Sequence, residues 1–267
     1  MDLGLDGATA VVTGGSKGMG RAIADPLPAE GARVAVVARG REALDETVAA
    51  LHEVGSTESW ALSVDVTDRA RVEAAFAEVA ARWDSLNVLV NTLGPGAGRF
   101  EDLDDAEWDA SFDLGVMAAV RCVRAGLPLL RRAEWARIVN VSAHSTQRQS
   151  PMLVAYTAAK SALTSVSKNL SKSLAPEGIL VNTVSPGSIV TASFSEGLRA
   201  AFAQDGLDAT DPYDVMTWID RNFHQPADLG RAGLPEEVAS LTAYLVSRTN
   251  GYVTGADVNV DGGSDFT

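Results

Sequence analysis

The chain has 267 residues, 46% hydrophobic and 21% charged, a balance that excludes disordered and fibrous proteins and supports a large buried core. A formal net charge of −13 excludes the basic footprint that sequence-independent nucleic-acid binding needs. The single cysteine, Cys122, rules out an intrachain disulfide framework, and no run of about 18 apolar residues offers a membrane-spanning helix.

The opening MDLGLDG carries no basic n-region, so a cytoplasmic location is expected. Residues 8–13 (ATAVVT) read as a buried strand. The strand stops at Gly14-Gly15-Ser16-Lys17-Gly18-Met19-Gly20, and a helix begins at Arg21. Pro26 and Pro28 interrupt that helix. Proline inside a helix costs about 3 kcal/mol or more, so an early, irregular end is expected. Residues 33–38 (RVAVVA) are a second strand, 42–54 a helix stopped by Gly55, and 59–64 a weaker third strand followed by Asp65-Val66. Asp68 caps a helix running to Trp83. Residues 86–91 (LNVLVN) form a fourth strand, 92–98 a Gly/Pro loop, and 105–132 a long helix pattern with glycines at 115 and 126. A fifth strand covers 136–141. A helix reaching Leu174 and a sixth strand over 179–184 follow, the strand ending at Ser185-Pro186-Gly187. Pro235 opens a helix to Val246, and 258–260 form a last short strand before Asp261-Gly262-Gly263.

Alternating helices and apolar strands predict an α/β fold of one domain, 1–267. Its core is a doubly wound, Rossmann-like parallel sheet of about seven strands with helices on both faces. Residues 191–233 depart from the alternation. They carry Phe194, Phe202, Tyr213, Trp218 and Phe223 among charges and prolines. A structureless stretch of that length is unusual inside a domain, so a substrate-lid excursion with a helix or two over the active site is expected.

Two stretches carry chemistry. The first is T-G-x-x-x-G-x-G between the first strand and the first helix. There Gly14 makes the turn, Gly18 lets backbone approach a pyrophosphate, and Gly20 allows close helix–strand packing. An NAD site tends to place an acid at the end of the second strand to hold the ribose 2′-OH. That position is Ala38, followed by Arg39, with Lys17 in the glycine loop. Two cations and no carboxylate favour NADP(H) over NAD(H). Asp65-Val66 falls where an adenine ring would lie, and Asp65 alternatively serves only as a strand-end cap. The second stretch is Tyr156 and Lys160, four apart and so on one face of a helix. An ammonium beside a phenol favours the phenolate and lowers the phenol pKa, which suits general acid–base work. Three scattered histidines and one cysteine give no metal-ligand cluster.

With N-x-x-G at Asn91 and P-G-x-x-x-T at Pro186, these motifs resemble in order and spacing the short-chain dehydrogenase/reductase family. The resemblance covers nearly the whole chain. LGRAGLPEEVA and YVTGADVNVDGG look like the compact branch of 3-oxoacyl, sugar-alcohol and steroid reductases. It implies strand order 3-2-1-4-5-6-7, a homotetramer or dimer, and NAD(P)-dependent interconversion of a small-molecule carbonyl and alcohol. By this resemblance Tyr156 is the acid in reduction and the base in oxidation. Lys160 lowers the Tyr156 pKa and holds the nicotinamide ribose. Gly14, Ser16, Lys17, Gly18, Met19 and Gly20 cradle the cofactor, Asn91 and Gly94 shape its pocket, and Pro186, Gly187, Ile189 and Thr191 contact the nicotinamide end.

Two positions depart from the family. Its serine lies 13 residues before the tyrosine, where this chain has Ala143. Ser142 is the expected third catalytic group, with Ser145 and His144 as alternative donors. A residue shifted by one along a strand points to the opposite face, so Ser142 needs a local bulge. The family's asparagine in the long helix is Gly115, which loosens the helix there and keeps a carbonyl for the proton relay. The leading reading is an oxidoreductase. The alternative is a non-catalytic NADP(H)-binding sensor or subunit.

Overall fold

Seven short strands form one parallel sheet: β1 (Thr9–Thr13), β2 (Arg33–Ala38), β3 (Trp60–Ser63), β4 (Val88–Asn91), β5 (Ala136–Val141), β6 (Ile179–Pro186) and β7 (Asp257–Val260). The computed structural model describes residues 2–55 and 58–264. The strand order is β3-β2-β1-β4-β5-β6-β7, as the family resemblance implies. Order reverses between β1 and β4, and a doubly wound sheet binds ligands outside the carboxyl ends of its strands at that point.

Both faces are covered, which is why the strands are apolar at consecutive positions. Every residue of β1 and β5 is buried. Alternate residues feed opposite layers. Val11 packs with Phe76, Cys122 and Leu129, from α3 (Arg69–Arg82) and α5 (Ala118–Leu130). Ala10 and Val12 pack with Ile23, Leu44 and Val238, from α1 (Gly18–Ala24), α2 (Arg41–Glu53) and α9 (Pro235–Val246). Burial pushes the Cys122 thiol up to about 12, so it packs as a small apolar side chain. α1 ends at Ala24, just before Pro26, and a single 3₁₀ turn, Pro28–Glu30, carries the chain to β2.

The long helical pattern over 105–132 resolves into three pieces. α4 (Asp105–Phe112) and α5 are joined by a π-helical turn, Asp113–Met117, with Gly115 at its centre. A Cβ on Gly115 would lie 2.8 Å from Ala159 Cβ and 3.1 Å from Pro95 Cδ. Glycine is therefore required by close approach to α6 (Val154–Leu174). Residues 191–233 hold two helices, α7 (Ala192–Gln204) and α8 (Pro212–Phe223), around their own apolar cluster. Phe202 stacks on Trp218 at 4.9 Å between centroids, with Phe194 edge-on to Phe202 and Phe223 edge-on to Trp218. The excursion is clasped at its base, where Val190 N–H donates to the Gly233 carbonyl and Gly233 N–H to the Ser188 carbonyl.

Restoring asparagine at position 115 should overpack this contact and destabilise the protein by about 1–3 kcal/mol. Urea unfolding of Gly115→Asn should show that loss, and Ala159→Gly in the same chain should recover part of it.

Candidate active site

The turn at Gly14 and the tight packing at Gly20 follow the spacing. Gly14 and Gly18 take left-handed φ values of 70° and 52°. A Cβ on Gly20 would meet the Gly14 carbonyl and the Thr92 hydroxyl, so α1 packs this closely only without a side chain there. Beside this turn lies a cleft of about 860 Å³ at the carboxyl end of the sheet. Gly14, Ser16, Lys17, Arg39, Asp65, Val66 and Gly94 all line it. Asp65 also serves as a strand-end cap. Its carboxylate accepts from the Thr67 hydroxyl and amide, which hold it below its usual range, with Arg39 adding to the effect. Met19 turns its side chain into the apolar layer under the turn.

Tyr156 and Lys160 stand one turn apart on α6, and Gly94 connects them to the cleft. A Cβ on Gly94 would lie 2.9 Å from Lys160 Cε and 3.4 Å from Tyr156 Cε2. Lys160 is 2% exposed, and its Nζ donates to the carbonyls of Leu93 (2.8 Å) and Val141 (2.7 Å). The expected lowering of the phenol pKa by the lysine does not hold in this arrangement. Nζ sits 6.0 Å from the Tyr156 ring centroid and points at backbone. Burial pushes the Tyr156 phenol up to about 12 and pulls the Lys160 ammonium down to about 7.

The expectation for Ser142 is also corrected. Ala143 continues the extended backbone, at φ −162° and ψ 146°, with no bulge, so Ser142 keeps the opposite face. Its Oγ donates to the Lys160 carbonyl (3.2 Å), and the Thr164 hydroxyl, 2.8 Å away, therefore donates to it. Those partners lie along α6 beyond Lys160, away from the Tyr156 end. The Ser145 hydroxyl is buried with no hydrogen-bond partner among the described residues. His144 Nδ1 lies 3.1 Å from the Pro186 carbonyl; a carbonyl only accepts, so the proton is on Nδ1.

Asn91 faces into the sheet and does not line the cleft. Its amide donates to Asn140 Oδ1 at 2.8 Å, and Asn140 donates to Ser167 Oγ at 2.9 Å. Pro186, Gly187, Ile189 and Thr191 also lie outside the cleft lining, at the ends of β6 and α7. Gly187 N–H donates to the Val260 carbonyl, Ile189 is bridged to Gly233, and Thr191 caps α7 through Phe194 N–H. Thr191 lies close to Gly18, where an added Cβ would be 3.6 Å from Thr191 Cβ. Sequence reasoning missed Arg41, Glu42, Leu114 and Ser193, all of which line the cleft. Arg41 was findable as a second cation two residues past Arg39. Ser193 depends on how the excursion folds back. Among the described residues no group of side chains is arranged to hold a metal ion, and no helix is long and apolar enough to cross a membrane.

Residues 14–265 match the protein family described as enoyl-(acyl carrier protein) reductase. The chain is 33% identical over 268 residues to an uncharacterized oxidoreductase, YvrD, of Bacillus subtilis, covering 98% of each. It is 35% identical over 257 residues to the putative ketoacyl reductase of the monensin polyketide synthase of Streptomyces virginiae, covering 95% of each. The chain belongs to the short-chain dehydrogenase/reductase family. Among solved structures, L-sorbose reductase of Gluconobacter frateurii, complexed with NADPH and L-sorbose, superposes at a TM-score of 0.92, with 29% identity over 100% of both chains. Actinorhodin polyketide ketoreductase with NADPH superposes at 0.86, with 31% identity over 98% of both. As a short-chain dehydrogenase/reductase the protein is an oxidoreductase acting on carbonyl and alcohol groups.

In this reductase family member the buried lysine gives a stability signature. Lys160 releases its proton at about pH 7 in the fold, against an ordinary value of 10.5. Between these values the unfolded chain binds more protons, so stability rises with pH, by at most about 1.4 kcal/mol per pH unit. The cost of burying the ammonium is complete below about pH 7 and gone above 10.5. Urea unfolding at pH 7 and pH 9 should show native protein gaining stability over this interval relative to Lys160→Met.

Proposed function

We propose that this protein reduces a ketone or aldehyde, or oxidises the corresponding alcohol, using NADP(H) in preference to NAD(H). The observation that carries this reading is Gly94. It lines the dinucleotide-sized cleft and lies against both Tyr156 and Lys160, so the acid–base pair abuts the cofactor site. The glycine turn suits a pyrophosphate because, with glycine at 14 and 20, it packs tightly on Thr92 and leads straight into the N-terminus of α1 beside the cleft. Lys17, Arg39 and Arg41 border the adenosine end, and β2 ends in Ala38. Glu42 shares that rim, while Asp65 is committed to Thr67. The complexes of L-sorbose reductase and actinorhodin ketoreductase with NADPH support the same cofactor. Residues 1–267 act as one domain because a single sheet runs through the chain, and a homotetramer or dimer follows from the family resemblance.

When bound, the reduced nicotinamide supplies the hydride. The chain supplies the proton. Tyr156, kept protonated at neutral pH by its burial, donates to the carbonyl oxygen as negative charge develops there. In alcohol oxidation the same oxygen accepts the proton. Lys160 is fixed by two carbonyls, with its amine 6.0 Å from the phenol ring centroid. Ala143 brings no hydroxyl and Ser142 is turned to α6, so the corner lacks the serine donor of the family. Loss of one oxyanion donor typically costs about 10²–10³ in rate.

The same departure favours a second reading, a non-catalytic NADP(H)-binding protein, and one experiment separates the two. Purified protein with NADPH and a panel of ketones should oxidise NADPH, and Tyr156→Phe should bind NADPH equally while losing turnover. NADPH binding without oxidation above that variant would overturn the enzyme reading. Arg39→Ala should weaken NADPH by about tenfold or more, from loss of a charged hydrogen bond, and leave NADH unchanged. Ala143→Ser should raise kcat by about tenfold or more, measured against unaltered NADPH affinity.

A further inference from the structure

The loop between β5 and α6, residues 144–150, is fastened to two distant segments by three consecutive residues. Arg148 Nη1 donates to the Ser264 carbonyl at 2.6 Å, and Nη2 donates to the His224 carbonyl at 3.0 Å. Gln225 Nε2 donates to the Gln149 carbonyl at 3.0 Å. Asn259 Nδ2 donates to Gln147 Oε1 at 3.3 Å. The loop that follows Ala143 and leads to Tyr156 is thereby joined to the end of α8 and to the C-terminal turn.

His224 shows that the contact is built. It caps α8 at φ 54° and ψ 39°, and it is the one non-glycine residue at positive φ among the described residues. That conformation is uncommon for a side-chain-bearing residue. It closes the helix by donating from its N–H to the Asp220 carbonyl and turns its own carbonyl to Arg148. The guanidinium lies at the carboxyl end of a helix of 12 residues, where the helix dipole favours a cation. It donates to two neutral carbonyls.

Apart from the Arg148 side, the excursion that α8 ends is tied to the body near its base, where Leu229 N–H donates to the Gly262 carbonyl and Arg231 pairs with Glu237 of α9. It has its own apolar cluster, and its base is closed by the backbone clasp at Val190 and Gly233. At its other edge Ser193 lines the cofactor cleft. A unit held at its base and packed within itself can turn as one body once its far end is released.

We propose that Arg148 is a positioning residue that latches the 191–233 excursion against the loop before α6, and so sets how tightly the carbonyl substrate is held. The substrate part rests on the function proposed above. The latch itself is measurable without turnover.

The test compares Arg148→Ala and Arg148→Lys with the native full chain. In the alanine variant, chymotrypsin should cut after Phe223, beside the released His224 cap, about tenfold faster, with a melting temperature near native. KM for a ketone that the native protein reduces should rise about tenfold, with kcat changed less and NADPH affinity unchanged. Lysine keeps the charge but not the planar fork, and should restore part of the protection. Native cleavage rates in Arg148→Ala overturn the latch. So does a parallel loss of melting temperature and NADPH affinity, which marks a structural residue. Faster cleavage with an unchanged KM overturns the substrate role and keeps the latch. Should Arg148→Ala fail to fold, Gln225→Ala, which removes the neighbouring bond alone, must accelerate cleavage in the same direction, and native rates there overturn the latch.

Discussion

Everything at the reactive end of this protein depends on burying one amine. Lys160 is almost fully enclosed, and an amine in that position is tolerable only with acceptors in place. The acceptors are the carbonyls of Leu93, just past β4, and Val141, the last residue of β5. Two adjacent strands and α6 therefore meet at a single nitrogen. To bring α6 that close, the facing chain must be free of side chains. Gly94 faces Lys160 and Tyr156, and Gly115 faces Ala159, the residue before Lys160. The π-helical turn around Gly115 is part of the same fit, because it lets a long helix accommodate that contact without ending.

The polar layer beneath that amine explains the fates of Asn91 and Ser142. Asn91, Asn140 and Ser167 form a buried chain of hydrogen bonds from β4 across β5 to α6. Ser142, two residues after Asn140, faces the same helix and is bonded to the Lys160 carbonyl and Thr164. Buried hydroxyls and amides are costly when unpaired, so these residues serve the strand–helix joint. They set the position of the amine and stay out of the cleft.

The sheet was legible because its signals are local. Seven apolar runs, a glycine turn and two prolines at the end of α1 each act over a few residues. Strand order and the Tyr156–Lys160 juxtaposition were legible through order and spacing of motifs. The alternation rule already argued against Ser142, since no bulge signal stood near Ala143. What could not be read depends on distant partners. Nothing near Arg148 in sequence indicates that its guanidinium lies between His224 and Ser264. The sign of the Tyr156 shift was misjudged for a similar reason. Helical spacing shows that a lysine is near a phenol, but the depth of burial is set by β4, β5 and the loops around them.

That sign has a chemical consequence. Burial favours the neutral forms of both groups, a protonated phenol and an amine that titrates near pH 7. A protonated phenol is already the species that carbonyl reduction consumes, whereas alcohol oxidation first requires the phenolate that burial opposes. Ala143 strengthens this asymmetry, because a neighbouring serine hydroxyl would stabilise an oxyanion and is absent here. The reaction proposed here therefore rests on the Tyr156 proton more than on shared stabilisation of charge. Beside that corner the 191–233 excursion carries its own apolar cluster and is clasped at its base by Val190 and Gly233.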